Sequence, residues 1–185
     1  CALCDERCPQ DVSITPYIAA SRALRQEKEH WAERPHGGVF QSLGRLMTRT
    51  DLPVNHDRWV SDGLKVKPKS DTLFYAGCAP FHDAYFKNLD VRNLDAARGA
   101  IKILNHLGIE PAVLQDERCC GHDFYWAGEL DTFRELARIN QKQIEESGAR
   151  RIVFNCPECL SAFRNLYPEA GIRIQAELVT MSEII

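Results

Sequence analysis

Beyond residue 70, short apolar runs alternate with longer segments in which apolar residues recur every three or four positions. The runs Thr72–Ala76 and Arg151–Asn155 predict strands. The segments Leu94–Leu107 and Glu129–Ser147 predict amphipathic helices, and a glycine directly follows each of them. Alternating strands and helices with short connections are typical of βαβ units. The pattern therefore predicts an α/β domain built on a small parallel sheet.

Shorter runs predict the remaining elements of this domain. Ala112–Leu114 predicts one more strand, and Ile172–Ile174 with Ala176–Val179 predicts a fourth. A short helix through Ala162 and Leu166 is expected before the last strand. Ligands of parallel α/β sheets bind at the carboxyl ends of the strands, so we expect the chemistry of the domain at that edge.

The N-terminal part of the chain has a different pattern. Thr15 and Pro16 resemble an N-cap and a first-turn proline, which predicts a helix from about Pro16 to Ala32. A shorter helix is predicted over Val39–Met47. Residues 51–70 are rich in proline and polar residues, so we expect an extended linker that wraps onto the next domain. The predicted division is an N-terminal segment over 1–50, a linker over 51–70 and a domain over 71–185.

Composition narrows the class of protein. A length of 185 residues suits one domain with an appendage, and 44% hydrophobic and 26% charged residues are ordinary for a globular chain. The net charge of −3 argues against nucleic acid as the main partner. No apolar run approaches the roughly 20 residues of a membrane span, so membrane contact would be made through a partner.

All eight cysteines belong to one of two motifs. The larger one, called the five-cysteine motif below, reads Cys78 … Cys119-Cys120-Gly121 … Cys156-Pro157-Glu158-Cys159. Three of its cysteines follow predicted strands, so the sheet would bring them to one edge. Disulfides are disfavoured, because adjacent cysteines are awkward disulfide partners and CxxC spacing more often serves metal or redox chemistry.

Five thiolates suggest more than one metal ion. Thiolates in a CxxC favour Zn²⁺ or iron–sulfur centres, and Zn²⁺ sites almost always have four ligands. With one cysteine too many for a simple site, one thiolate could bridge two irons, which points to an iron–sulfur centre with unlike iron sites. Gly121 would let the backbone approach the cluster, and Pro157 would stiffen the CxxC turn.

The second motif, called the N-terminal motif, is Cys1-x2-Cys4-x3-Cys8-Pro9. It matches the last three cysteines and the proline of the ferredoxin run C-x2-C-x2-C-x3-C-P. In two-cluster ferredoxins the last cysteine of a run binds the other cluster. We therefore expect Cys1 and Cys4 in one cubane cluster and Cys8 in a second, with the missing ligands upstream in a longer polypeptide.

Together the two motifs resemble the cysteine-rich CCG domain of heterodisulfide reductase catalytic subunits. The same arrangement occurs in iron–sulfur subunits of glycolate oxidase, of anaerobic glycerol-3-phosphate dehydrogenase and of sulfite-reduction membrane complexes. The resemblance implies that the ligands of a noncubane [4Fe–4S] cluster are Cys78, Cys119, Cys120, Cys156 and Cys159. It also implies a cluster at the carboxyl ends of the strands, after the tail of a ferredoxin-like helical segment. Many family members carry two CCG motifs, whereas this sequence has one.

Three functions follow as hypotheses. The first is an iron–sulfur oxidoreductase subunit that delivers electrons to the noncubane cluster, where a disulfide or another sulfur compound is reduced. The second is an electron relay between a flavin dehydrogenase and a quinone-linked partner, and the third is a structural module that binds Zn²⁺. Both redox hypotheses imply that other redox subunits are partners of the chain, including subunits that contain flavin or haem. They also imply a cytoplasmic location, with membrane association through those partners.

Side chains near the cysteines are candidates for proton transfer. His122 and Asp123 directly follow Gly121, and His82 lies four residues after Cys78. Any of the three could protonate a departing thiolate. The alternative is a hydrogen bond to cluster sulfur or to loop backbone. Packing roles are expected for Trp31, Trp59 and Trp126.

Overall fold

A computed structural model describes residues 3–29 and 35–185 of the chain. Its centre is a parallel sheet of three strands, β1 (Thr72–Tyr75), β2 (Arg151–Phe154) and β3 (Glu177–Thr180), in that spatial order. Thr72 pairs with Arg151, which in turn pairs with Glu177. The predicted α/β class with a small parallel sheet is confirmed.

The described part of the chain contains ten α-helices. They are α1 (Leu3–Glu6), α2 (Ile14–Glu29), α3 (Val39–Met47), α4 (Ala79–Tyr85), α5 (Asn93–His106), α6 (His122–Ala127), α7 (Leu130–Ser147), α8 (Pro157–Ser161), α9 (Tyr167–Glu169) and α10 (Met181–Ile184). A π-helical stretch over Ala162–Leu166 joins α8 to α9. Short 3₁₀ segments cover Pro35–Gly38, His56–Trp59 and Lys87–Leu89.

The two faces of the sheet bury different helices. Side chains of successive strand residues point to opposite faces. Leu73 and Tyr75 lie in a core with residues of α7, α8 and α9, whereas Phe74 lies in a second core with residues of α5. Strand β1 is buried on both faces, and so is β2 after half-buried Arg151, which explains why their sequences are largely apolar runs rather than alternating ones. The edge strand β3 is mostly exposed or half-buried.

The predicted strand Ala112–Leu114 is wrong in extent. Only Ala112 pairs, through isolated parallel bridges to Lys67 and to Leu73. The segment then leaves the sheet for a turn at residues 115–116, so it is too short for a ladder. The prediction of strand over Ile172–Ile174 is also wrong, because β3 begins only at Glu177.

Helices with a clear apolar period were predicted closely. The bounds of α3 match the prediction, and α5 and α7 lie within one residue of theirs at each end. Helix α2 begins at Ile14, two residues before the predicted start, and the predicted end at Ala32 lies outside the described residues. The carboxylate of Asp5 accepts a hydrogen bond from the backbone N–H of Thr15 at 2.9 Å, and this bond lowers the pKa of Asp5.

The segment over residues 51–70 contacts the sheet domain along its length. Trp59 is buried against Phe74, as expected for a packing residue, and the backbone N–H of Lys67 donates to the carbonyl of Pro111 at 3.0 Å. Trp31 lies outside the described residues. None of the described helices is both long and apolar enough to cross a membrane.

Helix α2 packs closely on the end of α6. Gly128, which follows α6, has a φ of +83°, and a Cβ placed there would lie 2.6 Å from the backbone of Arg22. The guanidinium of Arg22 also donates to the carbonyl of Trp126 at 2.8 Å. Glycine is therefore required at this position by conformation and by space.

Two glycine substitutions distinguish the cost of backbone conformation from the cost of a steric clash. Gly148 has a φ of +69° and open space around it, so Gly148→Ala should cost about 1–2 kcal/mol from backbone conformation alone. Gly128→Ala carries the same conformational cost and also a clash with α2, so its loss of unfolding free energy should be clearly larger. Chemical denaturation followed by circular dichroism measures both. Equal losses would contradict the close packing of α2 on α6.

Candidate metal centre

A cavity of about 320 Å³ opens at the carboxyl ends of β1 and β2. All five cysteines of the five-cysteine motif line it. Cys78 follows β1 by three residues, and Cys156 follows β2 by two. After β1, the chain forms a bridge at Ala112 on one side of β1 and then continues to β2, which pairs on the other side of β1. The strand order therefore reverses between β1 and β2, and the cavity lies at that point.

Three short helices begin at this cavity. Cys78 is the N-cap of α4, Gly121 of α6 and Cys156 of α8. The free N–H groups at the start of a helix favour a negatively charged partner. At this cavity the partner of such an N–H group is cysteine sulfur, since the N–H of Gly121 donates to Sγ of Cys119 at 3.4 Å. Backbone N–H groups of Cys159 and Glu158 likewise interact with the sulfur of Cys156.

The five thiols form a chain of neighbours. Sγ of Cys78 lies 3.7 Å from Sγ of Cys119. The pairs Cys119–Cys120, Cys120–Cys159 and Cys159–Cys156 also interact through their side chains, and these interactions shift the pKa values of the thiols. Within residues 3–29 and 35–185, no three His, Cys, Asp or Glu side chains are already grouped around a point where one ion would sit.

The pKa values of the five thiols are shifted in two directions. Hydrogen bonds donated by Cys120 and Cys78 hold the pKa of Cys119 well below the ordinary thiol value. The bond from Cys159 lowers the pKa of Cys156 to about 6. The pKa values of Cys78, Cys120 and Cys159 are raised, mainly because these thiols are the donors and also because they are buried. The lowered pKa values thus fall on two of the five sulfurs, those of Cys119 and Cys156.

A buried pair supports the loop that carries Cys78. The carboxyl of Glu117 accepts hydrogen bonds from the N–H of Gly77 at 2.7 Å and of Ala76 at 3.4 Å, and Nε2 of His56 donates to the Gly77 carbonyl at 2.8 Å. Burial raises the pKa of Glu117 and lowers that of His56, so it disfavours the charged form of each side chain. Nε2 of His56 lies 3.7 Å from Oε1 of Glu117. Sequence reasoning missed both residues, and no local motif marks them.

A second set of bonds fixes the Cys119–Cys120 backbone. The side-chain amide of Asn140 donates to the Cys119 carbonyl at 2.9 Å and to the hydroxyl of Tyr167 at 3.0 Å. That hydroxyl donates in turn to the Cys120 carbonyl at 3.1 Å. The N–H of Cys119 contacts Sδ of Met47 at 3.2 Å. These partners lie on helices distant in sequence, so no spacing in the chain could have indicated them.

Glycines take the positions where the loops are tightest. Gly121 has a φ of +81°, and a Cβ there would lie 2.9 Å from the ring of Phe133. Gly77 has a φ of +63°, and its Cβ would lie 2.9 Å from Sγ of Cys159. The structure thus requires glycine at position 121 for core packing, and its role toward a cofactor stays a prediction.

His122 and Asp123 line the cavity from the first turn of α6. The indole N–H of Trp126 donates to Nε2 of His122 at 3.0 Å, so the neutral ring carries its proton on Nδ1. That nitrogen lies 3.5 Å from Oδ1 of Asp123 and 3.9 Å from Oε2 of Glu158. Trp126 therefore does more than pack. The catalytic role of His122 and Asp123 remains a prediction.

His82 lines the opposite part of the wall. Its Nδ1 lies 2.9 Å from the side-chain amide of Asn93, and its ring packs against that of Phe40 with centroids 5.0 Å apart. Cys4 is exposed and Cys8 half-buried, and neither lines the cavity. Cys1 lies outside the described residues. The seven described cysteines are all free thiols.

Comparison with known proteins identifies the domain. The family model of the cysteine-rich domain called CCG matches residues 72–164, which contain the sheet edge, the cavity and all five cysteines. The chain belongs to the CCG family. The match begins with β1 and ends before α9, so the CCG unit includes two of the three strands and the helices that start at the cavity.

Relatives of this CCG protein are redox proteins by name. One is a component of the dihydromethanophenazine:CoB–CoM heterodisulfide reductase of Methanosarcina barkeri, 28% identical over the whole chain. EtfAB:quinone oxidoreductase of Syntrophomonas wolfei is 23% identical over 92% of the chain, and a component of the anaerobic glycerol-3-phosphate dehydrogenase of Escherichia coli is 31% identical over 60%. The chain spans 44%, 24% and 28% of these relatives. No solved structure matches it.

The support of the CCG cysteines can be tested with paired tyrosine variants. Tyr167→Phe leaves the Cys120 carbonyl and Asn140 short of a buried partner, and we expect a loss of about 1–3 kcal/mol in unfolding free energy. Tyr125→Phe removes a hydroxyl whose bond to Glu169 is exposed, so it should cost less than about 0.5–1 kcal/mol. Urea denaturation of both variants measures the difference, and similar losses would contradict a structural role of the Tyr167 hydroxyl.

Proposed function

We propose that this chain is an iron–sulfur oxidoreductase subunit of a heterodisulfide reductase-like complex. Its five-cysteine motif would hold a noncubane [4Fe–4S] cluster at which a disulfide or another sulfur compound is reduced. The observation that carries the proposal is the meeting of five free cysteines at one cavity, where the strand order reverses. The names of the relatives supply the class of reaction.

The residues present fit such a cofactor. All five donors are sulfur, which suits iron–sulfur chemistry better than the oxygen ligands of hard cations. Metal binding requires deprotonated sulfur, and the pKa values of Cys119 and Cys156 are already lowered. Backbone N–H groups around Cys119 and Cys156 already favour negative charge on sulfur. The buried hydrogen bonds to Gly77 and to the Cys119–Cys120 backbone hold the sulfur donors in place.

When bound, the cluster would supply electrons together with a site for a sulfur ligand. Reduction of a disulfide consumes two electrons and two protons, breaks the S–S bond and releases two thiols. The electrons would come from a partner redox subunit. Subunits that contain flavin or haem are the candidates.

The chain's own residues would provide proton transfer. The neutral ring of His122 carries its proton on Nδ1, which lies 3.5 Å from Oδ1 of Asp123 and 3.9 Å from Oε2 of Glu158. We assign His122 the role of proton donor to the departing thiolate, with Asp123 as its charge partner. His82 is a second donor candidate at the opposite wall.

The N-terminal motif would extend the electron path. We propose that Cys1, Cys4 and Cys8 bind cubane [4Fe–4S] clusters with ligands that this sequence does not contain. The protein would be cytoplasmic, and any association with a membrane would be made through partner subunits.

A relay is the second candidate function. It is favoured by relatives named as a quinone oxidoreductase and as part of a glycerol-3-phosphate dehydrogenase, since neither name includes a sulfur substrate. In that case the cavity would hold the cluster between a flavin dehydrogenase and a quinone-linked partner. A Zn²⁺-binding structural module is the remaining alternative.

The deciding experiment is metal and sulfide analysis with EPR on the anaerobically purified complex, with and without a thiol. A reductase should contain iron and acid-labile sulfide and show a paramagnetic signal that changes when thiol is added. A signal indifferent to thiols would favour the relay. Zinc without iron would contradict both redox functions.

Serine variants assign that signal to the cavity. Cys119→Ser and Cys156→Ser should abolish the thiol-sensitive signal and lower the iron content, because they remove the two sulfurs with thiolate character. Cys8→Ser is the control, since it leaves the cavity intact. It should retain that signal even where the total iron falls. Retention of the signal in Cys119→Ser or Cys156→Ser would contradict the assigned site.

A further inference from the structure

Helix α6 carries His122 and Trp126 on one face, one turn apart. Side chains four residues apart in a helix are neighbours. The indole N–H of Trp126 reaches Nε2 of His122 at 3.0 Å, and the centroids of the two rings lie 6.2 Å apart. His122 lines the cavity, whereas Trp126 does not. The tryptophan therefore contacts the site only through the imidazole.

This contact fixes the hydrogen of the imidazole. An indole nitrogen can donate a hydrogen bond but cannot accept one, so Nε2 of His122 must accept here. The one hydrogen of a neutral imidazole then lies on Nδ1. Nδ1 is also the nitrogen on the cavity side, because the carboxylates 3.5 Å and 3.9 Å from it belong to Asp123 and Glu158, which both line the cavity.

Contacts outside the cavity hold Trp126 in place. Its carbonyl accepts a hydrogen bond from the guanidinium of Arg22 at 2.8 Å, and its ring packs against that of Tyr125 with centroids 5.0 Å apart. Neither Arg22 nor Tyr125 lines the cavity. The position of the indole is thus set by the packing of α6 and α2, so the indole is in place before any ligand enters.

We propose that Trp126 is a positioning residue: by occupying Nε2 of His122, it makes Nδ1 the atom from which this ring donates to sulfur in the cavity. The inference rests on the proposed function, because it names the atom of His122 that meets the departing thiolate. A donor aimed at developing charge stabilises that charge. The opposite tautomer would turn its hydrogen toward Trp126 and leave a lone pair facing the sulfur.

His82, on the opposite wall of the cavity, offers an internal reference. The side-chain amide nitrogen of Asn93 lies 2.9 Å from Nδ1 of His82. An amide nitrogen donates, so Nδ1 accepts and the hydrogen of the neutral ring lies on Nε2. The two cavity histidines therefore have opposite tautomers, and the contact that fixes the tautomer of His82 does not involve Trp126.

The test is an NMR measurement of the imidazole tautomers in the full chain, isotopically labelled and kept reduced and free of metal. At about pH 8.5 histidines are ordinarily neutral, and long-range couplings between hydrogen and nitrogen show which nitrogen of each ring is protonated. His122→Gln and His82→Gln assign the signals. Wild type should show the hydrogen of His122 on Nδ1 and that of His82 on Nε2.

Trp126→Phe keeps an aromatic ring and removes the indole N–H. The ratio of the Nδ1–H form to the Nε2–H form of His122 should fall about tenfold, the effect of losing one hydrogen bond. The matched control is Trp59→Phe, because the indole nitrogen of Trp59 is buried and has no hydrogen-bond partner among the described residues. It should leave both histidines unchanged, and circular dichroism checks that both variants fold.

An unchanged tautomer of His122 in Trp126→Phe would overturn the proposal, and so would an equal shift in Trp59→Phe or at His82. In the purified complex, Trp126→Phe should also lower the rate of disulfide reduction about tenfold without loss of iron. A full rate beside a shifted tautomer would overturn the positioning role. The NMR measurement needs no iron, so it gives its answer even where metal analysis rejects the iron–sulfur function, and the two failures remain distinguishable.

Discussion

The passage of the chain from one face of the sheet to the other is the constraint on which the site depends. Helix α5 follows β1 and packs on one face, whereas α7 precedes β2 and packs on the opposite face. No connection can then fill the space between the loops that follow β1 and β2. Cys78 and Cys156 begin helices at that gap, and the segment with Cys119 and Cys120 closes its third side.

Crowding five sulfurs into this gap is unfavourable unless the surrounding backbone is held. Hydrogen bonds from buried side chains hold that backbone. Glu117 accepts from the backbone N–H of Gly77 and His56 donates to the Gly77 carbonyl, while Asn140 and Tyr167 donate to the carbonyls of the adjacent cysteines. Each of these bonds gives a buried backbone polar group a partner, which lowers the cost of burying it.

The sequence pattern predicted those elements and contacts that are determined by residues close together in the sequence. The apolar period gave α3, α5 and α7, and cysteine spacing indicated which five thiols would meet. Local signals failed where pairing or packing is decided by distant residues. Ala112 makes only isolated bridges because the chain turns away after it, and α4 and α6 are too short to show a period. Glu117 and His56 lie outside the cysteine motifs, so only the fold reveals that they support Cys78.

One helix connects the two cysteine motifs. Helix α6 carries His122 into the cavity, and its far end packs on α2, the helix that follows the N-terminal motif. Arg22 of α2 donates to the carbonyl of Trp126, whose indole donates to His122. The orientation of the imidazole therefore depends on the seating of α2 as well as on the cavity. Because the glycine at position 128 permits no side chain between the helices, a displacement of α2 must be accommodated by α6 itself, and the imidazole would move with it.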